Sequence, residues 1–106
     1  MVARIQVPRE ARSGDVIEVR ITVQHPMESG FRYDNMGRSI PKNVINTLNC
    51  RYGDREVFRA EMGSGIAANP YLQFCLVARQ AGELVFDWVD DEGQRGSERI
   101  ALNVVA

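Results

Sequence analysis

The chain has few of the residues that bind metal ions. Its 106 residues include a single histidine, His25, and two cysteines, Cys50 and Cys75. A blue-copper site needs two histidines and a cysteine, an iron site of the superoxide-reductase kind needs more histidines, and structural zinc takes about four such ligands. The acidic run at 90–92 is predicted to be a solvated hairpin tip rather than a calcium site. We therefore expect no metal and no cofactor.

A strong charge of one sign and long apolar runs are missing as well. Thirteen Lys and Arg residues against fourteen Asp and Glu residues give a net charge of −1, whereas a protein that grips phosphate backbones by bulk charge is far more basic. No apolar run approaches the roughly 18 residues that span a bilayer. Residues 1–8 lack the basic and apolar segments of a signal peptide. We expect no nucleic acid, no membrane and no signal peptide of its own.

Alternating apolar residues predict an all-β fold. Between Val16 and Val23, the apolar side chains at 17, 19, 21 and 23 alternate with polar ones, which indicates a half-buried strand. Similar patterns separated by turn signals predict strands at 5–7, 44–52, 56–62, 71–79, 84–89 and 97–105. About seven short strands without a helical period predict one domain, residues 1–106, folded as an antiparallel β-sandwich. An open barrel is the alternative.

Two connections are too long for simple turns between strands, and they are the candidate binding regions. They are residues 26–42, rich in Gly, Arg, Met and aromatic residues, and residues 63–70. Long loops on a rigid sandwich often carry binding sites, and Arg, Tyr, Phe and Met are enriched at protein interfaces. A loop folded back over the end of the sandwich is the alternative. The candidate partner-binding residues are His25, Met27, Gly30, Phe31, Arg32, Tyr33, Asn69, Pro70 and Tyr71.

The two cysteines and the histidine allow an enzymatic hypothesis, because a histidine can activate a thiol as a nucleophile. Strand alternation places Cys50 on a core face with Leu48 and Tyr52, and it places Cys75 on the opposite face to the apolar residues of its strand. Both thiols are therefore predicted to be reduced and not bridged to each other. A free-standing thiol enzyme using Cys50 or Cys75 is the alternative function, and an adhesion-type sandwich without sulfur chemistry is a third.

Four ordered motifs resemble the SoxZ family. They are His-Pro-Met-Glu-Ser-Gly-Phe-Arg at 25–32, Glu-Val-Phe-Arg-Ala at 56–60, Ala-Ala-Asn-Pro-Tyr-Leu at 67–72, and the Trp88 strand that leads into Asp-Asp-Glu-Gly at 90–93. The first is followed by Asp34, Gly37, Ile40-Pro41 and Ile45. Ser29 stands where many members carry Thr, a change that keeps the hydroxyl.

The resemblance implies an immunoglobulin-like β-sandwich with a non-catalytic role in thiosulfate oxidation. SoxZ-like proteins pair with SoxY, as a heterodimer or a higher assembly, and sulfur intermediates are carried on a cysteine in a Gly-Gly-Cys-Gly-Gly tail of SoxY. This chain ends in Leu-Asn-Val-Val-Ala, so we expect it not to carry the sulfur. The resemblance further implies transient contact with periplasmic Sox enzymes and a periplasmic location reached by export together with SoxY. Whether the isolated subunit forms a homo-oligomer is left open by the resemblance.

Overall fold

The computed structural model describes residues 2–106, and every regular element in that range is a strand. The strands are β1 (Ala3–Gln6), β2 (Ala11–Arg12), β3 (Val16–Val23), β4 (Ile45–Tyr52), β5 (Arg55–Glu61), β6 (Tyr71–Val77), β7 (Gly82–Asp90), β8 (Arg95–Leu102) and β9 (Val104–Val105). In the described residues no helix is long and apolar enough to cross a membrane. Seven strands of four to nine residues form the body of the fold.

Two separate antiparallel sheets confirm the predicted β-sandwich over the open barrel. One sheet has the strand order β1-β3-β6, and the other has the order β5-β4-β7-β8. The short strands β2 and β9 form a parallel pair that the sequence did not predict. In this pair the Ala11 N–H donates to the Asn103 carbonyl at 2.9 Å, which joins the segment between β1 and β3 to the end of the chain.

The core lies between the sheets and follows from strand alternation. In β3, the side chains of residues 17, 19, 21 and 23 are buried, and in β7 those of Leu84, Phe86 and Trp88 are buried. Each large apolar side chain buried in this way contributes roughly 1.5–3 kcal/mol to folding. Phe58 of β5 and Phe74 of β6 stack with ring centroids 4.2 Å apart, which joins the edge strands of the two sheets.

One end of the sandwich carries both long connections. The Val23 N–H donates to the Pro70 carbonyl, and the Asp91 N–H donates to the Val44 carbonyl. The ends of β3 and β7 and the starts of β4 and β6 therefore meet at this end. The chain measures 60 × 20 × 18 Å, although an eight-residue strand spans only about 27 Å. A segment must therefore extend beyond the sandwich, and residues 26–43, called the arm below, supply it.

A candidate partner-binding arm

The arm is a narrow antiparallel ribbon rather than a slack loop. Its root is closed by two hydrogen bonds between the backbones of Glu28 and Asn43, at 2.8 and 2.9 Å. Further along, the Ile40 N–H donates to the Arg32 carbonyl at 2.9 Å, and the Asp34 N–H donates to the Arg38 carbonyl at 2.8 Å. Because these pairs repeat along both sides, the ribbon holds its shape without covering the end of the sandwich.

The tip of the arm is a turn fixed by a carboxylate. Asp34 Oδ1 accepts the N–H groups of Met36, at 2.8 Å, and of Arg38, at 2.9 Å. Gly37 has a φ of 78°, a left-handed conformation that glycine adopts without steric cost. The side-chain bonds of Asp34 and the glycine together predefine the tip.

Three large apolar side chains of the arm face solvent. Phe31 is 82% exposed, Tyr33 71% and Met36 76%. The neighbouring charges are already paired within the arm: Arg32 contacts Glu28 at 2.7 Å, and Arg38 contacts Asp34 at 3.7 Å. The arm therefore offers another molecule three large apolar side chains set among charges that are paired with each other.

A buried pair of polar side chains anchors the arm to the sandwich. His25 Nε2 lies 3.1 Å from Asp90 Oδ2, and both side chains are almost completely buried. His25 Nδ1 accepts the N–H of Met27 at 2.9 Å. Burial by itself raises the pKa of Asp90, but the hydrogen bonds from His25 and from the N–H groups of Gln94 and Glu92 outweigh burial and lower that pKa. Asp90 is thus an ionised carboxylate at neutral pH. The prediction of a solvated tip at 90–92 is wrong for Asp90.

Asp91, the next residue, binds the other side of the arm. Its Oδ1 accepts the Asn46 side-chain N–H and its Oδ2 accepts the Val44 N–H, both at 3.1 Å, and the Lys42 ammonium lies 3.8 Å away. The two hydrogen bonds and the lysine charge lower the pKa of Asp91. The turn after β7 therefore holds both strands of the arm at their roots.

The predicted binding residues divide into an anchor and a surface. His25, Met27 and Pro70 are buried, and the Met27 sulfur accepts the N–H of Ile45 at 3.3 Å. Asn69 is exposed, yet its Oδ1 accepts the His25 N–H at 3.1 Å. His25, Met27 and Pro70 therefore offer little contact area, and the Asn69 side chain holds the backbone of His25.

The remaining predicted residues stay available to a partner. Phe31, Arg32 and Tyr33 are exposed on the arm, and Tyr71 is half exposed beside it at the start of β6. Gly30 has a φ of 91°, a left-handed conformation that glycine adopts without steric cost. The sequence missed Met36, which stands alone among polar neighbours and carries no periodic signal.

The thiols lie as strand alternation predicted. Cys50 is buried, Cys75 is exposed, and both are free. Burial raises the pKa of the Cys50 thiol to about 12, so this side chain is protonated and unreactive at neutral pH. Both ring nitrogens of His25 are engaged by Asp90 and Met27, so the ring has no free nitrogen with which to activate Cys50 or Cys75. In residues 2–106, no group of three or more His, Cys, Asp or Glu side chains is placed to hold a metal ion.

The fold and the arm define the class of protein: a small immunoglobulin-like β-sandwich with an antiparallel ribbon that extends from one end and exposes three large apolar side chains. A family model described as "Sulphur oxidation protein SoxZ" matches residues 5–101, nearly the whole chain. The chain therefore belongs to the SoxZ family, whose members are non-catalytic subunits of the sulfur-oxidation (Sox) complex. A search of curated protein sequences finds no match.

Solved structures with the same fold include enzymes and a carrier. A superoxide reductase (neelaredoxin) from Ignicoccus hospitalis has 18% identity and a TM-score of 0.73, with 99% of this chain and 81% of that chain covered. A neelaredoxin from Archaeoglobus fulgidus has 21% identity and a TM-score of 0.67, with 96% and 87% covered. The sulfur carrier protein SoxY from Chlorobium limicola f thiosulfatophilum has 11% identity and a TM-score of 0.69, with 98% and 79% covered. At these identities the likeness shows the fold alone.

Proposed function

We propose that the chain binds SoxY and that the exposed face of the arm is the main contact surface. Membership of the SoxZ family supports SoxY as the partner. The observation that carries the choice of surface is the exposure of Phe31, Tyr33 and Met36 on a preformed ribbon. A backbone that is already fixed loses little conformational entropy on binding, which favours the large side chains on it as interface anchors.

The paired charges of the arm indicate how the complex is held together. Since Arg32 and Arg38 are matched by carboxylates of the arm itself, association through the arm does not need a strongly charged partner. We expect the affinity to change little between low and moderate salt, because apolar burial, unlike exposed charge pairing, is not screened.

Binding measurements with arm variants test the proposal. Phe31→Ala and Tyr33→Ala should each weaken association with SoxY by about 1–3 kcal/mol, which corresponds to about 5–150-fold in the dissociation constant. Val16→Ala is the matched control, because Val16 is 69% exposed at the start of β3, away from the arm end, and should leave the affinity unchanged. Arg32→Ala also breaks the contact with Glu28 and therefore reports on arm structure as well as on contact.

Wild-type affinity in folded Phe31→Ala, Tyr33→Ala and Arg32→Ala variants would remove the arm from the SoxY interface. Binding would then have to use a sheet face or edge, and docking of Sox enzymes on the arm would be the next question. A loss caused by Val16→Ala alone would point to the outer face of the three-stranded sheet.

We further propose that sulfur is carried by SoxY and not by this chain. The buried Cys50 thiol supports this, because its raised pKa keeps it unreactive. A Cys75→Ser variant, which changes the exposed thiol, should support thiosulfate oxidation at the wild-type rate when it is combined with SoxY and the Sox enzymes. Complete loss of oxidation by the folded variant would revive the thiol-enzyme hypothesis.

The periplasm is the proposed site of action, reached by export in complex with SoxY. The resemblance to SoxZ proteins supports this location. Cell fractionation tests it: the chain should appear in the periplasm when a SoxY with its signal peptide is co-expressed. It should stay in the cytoplasm when that signal is deleted. Periplasmic chain in the absence of SoxY would contradict joint export.

A further inference from the structure

The first residue of the arm that is buried, Met27, has a strained backbone. Its φ is 50°, a left-handed conformation that is unfavourable for a residue with a long side chain. Such a conformation persists only when the surrounding contacts fix it. Burial of the side chain in the core and two hydrogen bonds do so here: the Met27 N–H donates to His25 Nδ1 at 2.9 Å, and the Met27 sulfur accepts the Ile45 N–H at 3.3 Å.

The hydrogen bonds of the His25 ring define its tautomer. Nδ1 accepts the Met27 N–H and therefore carries a lone pair. Nε2 lies 3.1 Å from Asp90 Oδ2, and an ionised carboxylate only accepts, so Nε2 carries the proton. Asp90 is itself fixed, since its Oδ1 accepts the N–H groups of Glu92 at 3.0 Å and of Gln94 at 2.9 Å.

The backbone of His25 is held independently of its ring. The His25 N–H donates to Asn69 Oδ1 at 3.1 Å, and the Asn69 N–H donates to the His25 carbonyl at 2.8 Å. The ring is therefore not needed to place residue 25. The ring instead acts on the backbone conformation of Met27, at the start of the arm.

We propose that His25 is the positioning residue of the arm: its neutral Nε2–H form holds Met27 in the left-handed conformation, and a second proton at Nδ1 releases the arm root. A protonated Nδ1 is a donor and faces another donor, the Met27 N–H, so the bond is lost when the proton binds. The strained conformation then loses its hydrogen bond to the ring and keeps only the Ile45 contact and the burial of its side chain, while the sandwich keeps its own contacts. Histidine is the side chain whose charge changes near physiological pH, which makes it suited to such a switch.

Among the described residues, the other charged groups of the arm root and of the turn after β7 are paired, except for the exposed Glu92. The 63–70 loop contributes no charged residue, and Asp90 is the one carboxylate in hydrogen-bond contact with the ring among the described residues. The charged residues of the arm root and of the turn after β7 that are bound elsewhere are Glu28 (to Arg32), Asp91 (to Lys42 and Asn46) and Lys42 (to Asp91).

Nuclear magnetic resonance of the wild-type chain alone tests the inference, because a single histidine gives an unambiguous signal. At neutral pH, the ring nitrogen shifts should show the Nε2–H tautomer. On acid titration, the Met27 amide shift and the loss of order at Phe31 and Tyr33 should follow the titration curve of the ring, while Trp88 in the core stays unchanged. A ring in the Nδ1–H tautomer would overturn the inference. So would an arm that keeps its order while the ring titrates, or a ring that titrates only as the sandwich unfolds.

Two variants separate the roles of the two ring nitrogens. In His25→Asn, the side-chain oxygen takes the place of Nδ1 and can accept the Met27 N–H, yet it gains no proton in this range, so the arm should stay ordered at all pH values at which the sandwich is folded. In His25→Gln, the amide reaches toward Asp90 and leaves the Met27 N–H without a partner, so the arm should be disordered already at neutral pH. The opposite pattern, or the same behaviour in both variants, would show that Nδ1 does not hold the arm. If a variant fails to fold, the wild-type titration still decides.

The consequence for binding rests on the proposed function. If the arm contacts SoxY, wild-type affinity for SoxY should fall as His25 becomes protonated, and the affinity of His25→Asn should not. Release of the arm without any change in SoxY affinity would leave the switch intact and refute the arm as the SoxY surface, so the two failures are distinguishable.

Discussion

Replacing Cys50 by serine tests the packing between the sheets directly. Cys50 lies on the core face of β4, in register with Phe58 of β5 and Phe86 of β7, and its side chain is fully buried. The one hydrogen-bond partner of its sulfur among the described residues is the Arg51 carbonyl, at a long 3.9 Å. A serine hydroxyl at this position lies between two aromatic residues of the neighbouring strands and loses its hydrogen bonds to water.

The expected cost follows from that environment. Burying a hydroxyl without a good partner costs about 1–3 kcal/mol in proteins. For a domain of this size, each kcal/mol corresponds to roughly 4–8 °C in the melting temperature. Cys50→Ser should therefore melt about 5–20 °C below wild type in thermal unfolding followed by circular dichroism. Cys75→Ser is the matched control, because Cys75 is exposed and a surface change of this kind stays within about 0.5 kcal/mol.

Because the Cys50 thiol is buried, we also expect the stability of the fold to depend on pH in the alkaline range. Burial raises its pKa from 9.0 to about 12, so between these values the unfolded state loses the thiol proton while the folded state keeps it. The stability that the buried thiol contributes is complete below pH 9 and is lost as the pH rises toward 12, at up to about 1.4 kcal/mol per pH unit. The difference in the free energy of unfolding between wild type and Cys50→Ser should become smaller as the pH rises from 9 to 12. A Cys50→Ser variant as stable as Cys75→Ser at pH 7, with no narrowing at high pH, would refute the buried position of Cys50.

Two further substitutions probe single packing and hydrogen-bond contacts. A Cβ built on Gly96 would overlap the indole ring of Trp88, whereas one on Gly63 meets no atom within 4 Å. Gly96→Ala should therefore lower the free energy of unfolding by about 1–3 kcal/mol, and Gly63→Ala should change it little. Equal free energies of unfolding for the two variants in urea would contradict the contact between Gly96 and Trp88. The Tyr52 hydroxyl bonds three backbone groups of the loop between β6 and β7, so Tyr52→Phe should cost about 0.5–1.5 kcal/mol. Tyr71→Phe, which loses one bond to a surface side chain, should cost less, and the reverse order would be inconsistent with the loop contacts.

Strand alternation predicted much of the fold because half-buried strands place their side chains on two faces in strict turn. Strand β3 spans the predicted residues Val16–Val23, and the opposite faces of Cys50 and Cys75 are confirmed. The resemblance to the SoxZ family, drawn from four motifs, is confirmed by the family match over residues 5–101.

The buried pair was missed, although the same alternation contains a signal for it. The apolar face of β3 continues by parity from Val23 to His25, and the apolar face of β7 continues from Trp88 to Asp90. A polar residue in a core position needs a hydrogen-bond partner. Two such residues with complementary donor and acceptor groups therefore indicate a buried hydrogen bond between them. The acidic neighbours of Asp90 concealed this signal, because an acidic run after a strand is typical of a solvated turn.

The ribbon form of the arm and the β2–β9 pair depend on contacts that no local pattern encodes. The arm has no alternating apolar face, and its pairs are made by backbone groups at Glu28, Arg32 and their partners. Strand β2 is two residues long and pairs with residues 104–105, at the other end of the chain. Such short pairings are set by how the sheets meet and not by propensity.

Hydrogen exchange of the chain alone and in complex with SoxY tests whether the arm is the contact surface for SoxY. We predict that SoxY slows the exchange of amides of the arm, around Phe31 and Tyr33, and leaves the exchange of the edge strand β8 at the rate of the free chain. Stable complex formation with no change in the arm, or protection confined to a sheet edge, would contradict the arm as the contact surface. Failure of the chain to bind SoxY under any condition would contradict the proposed partner itself.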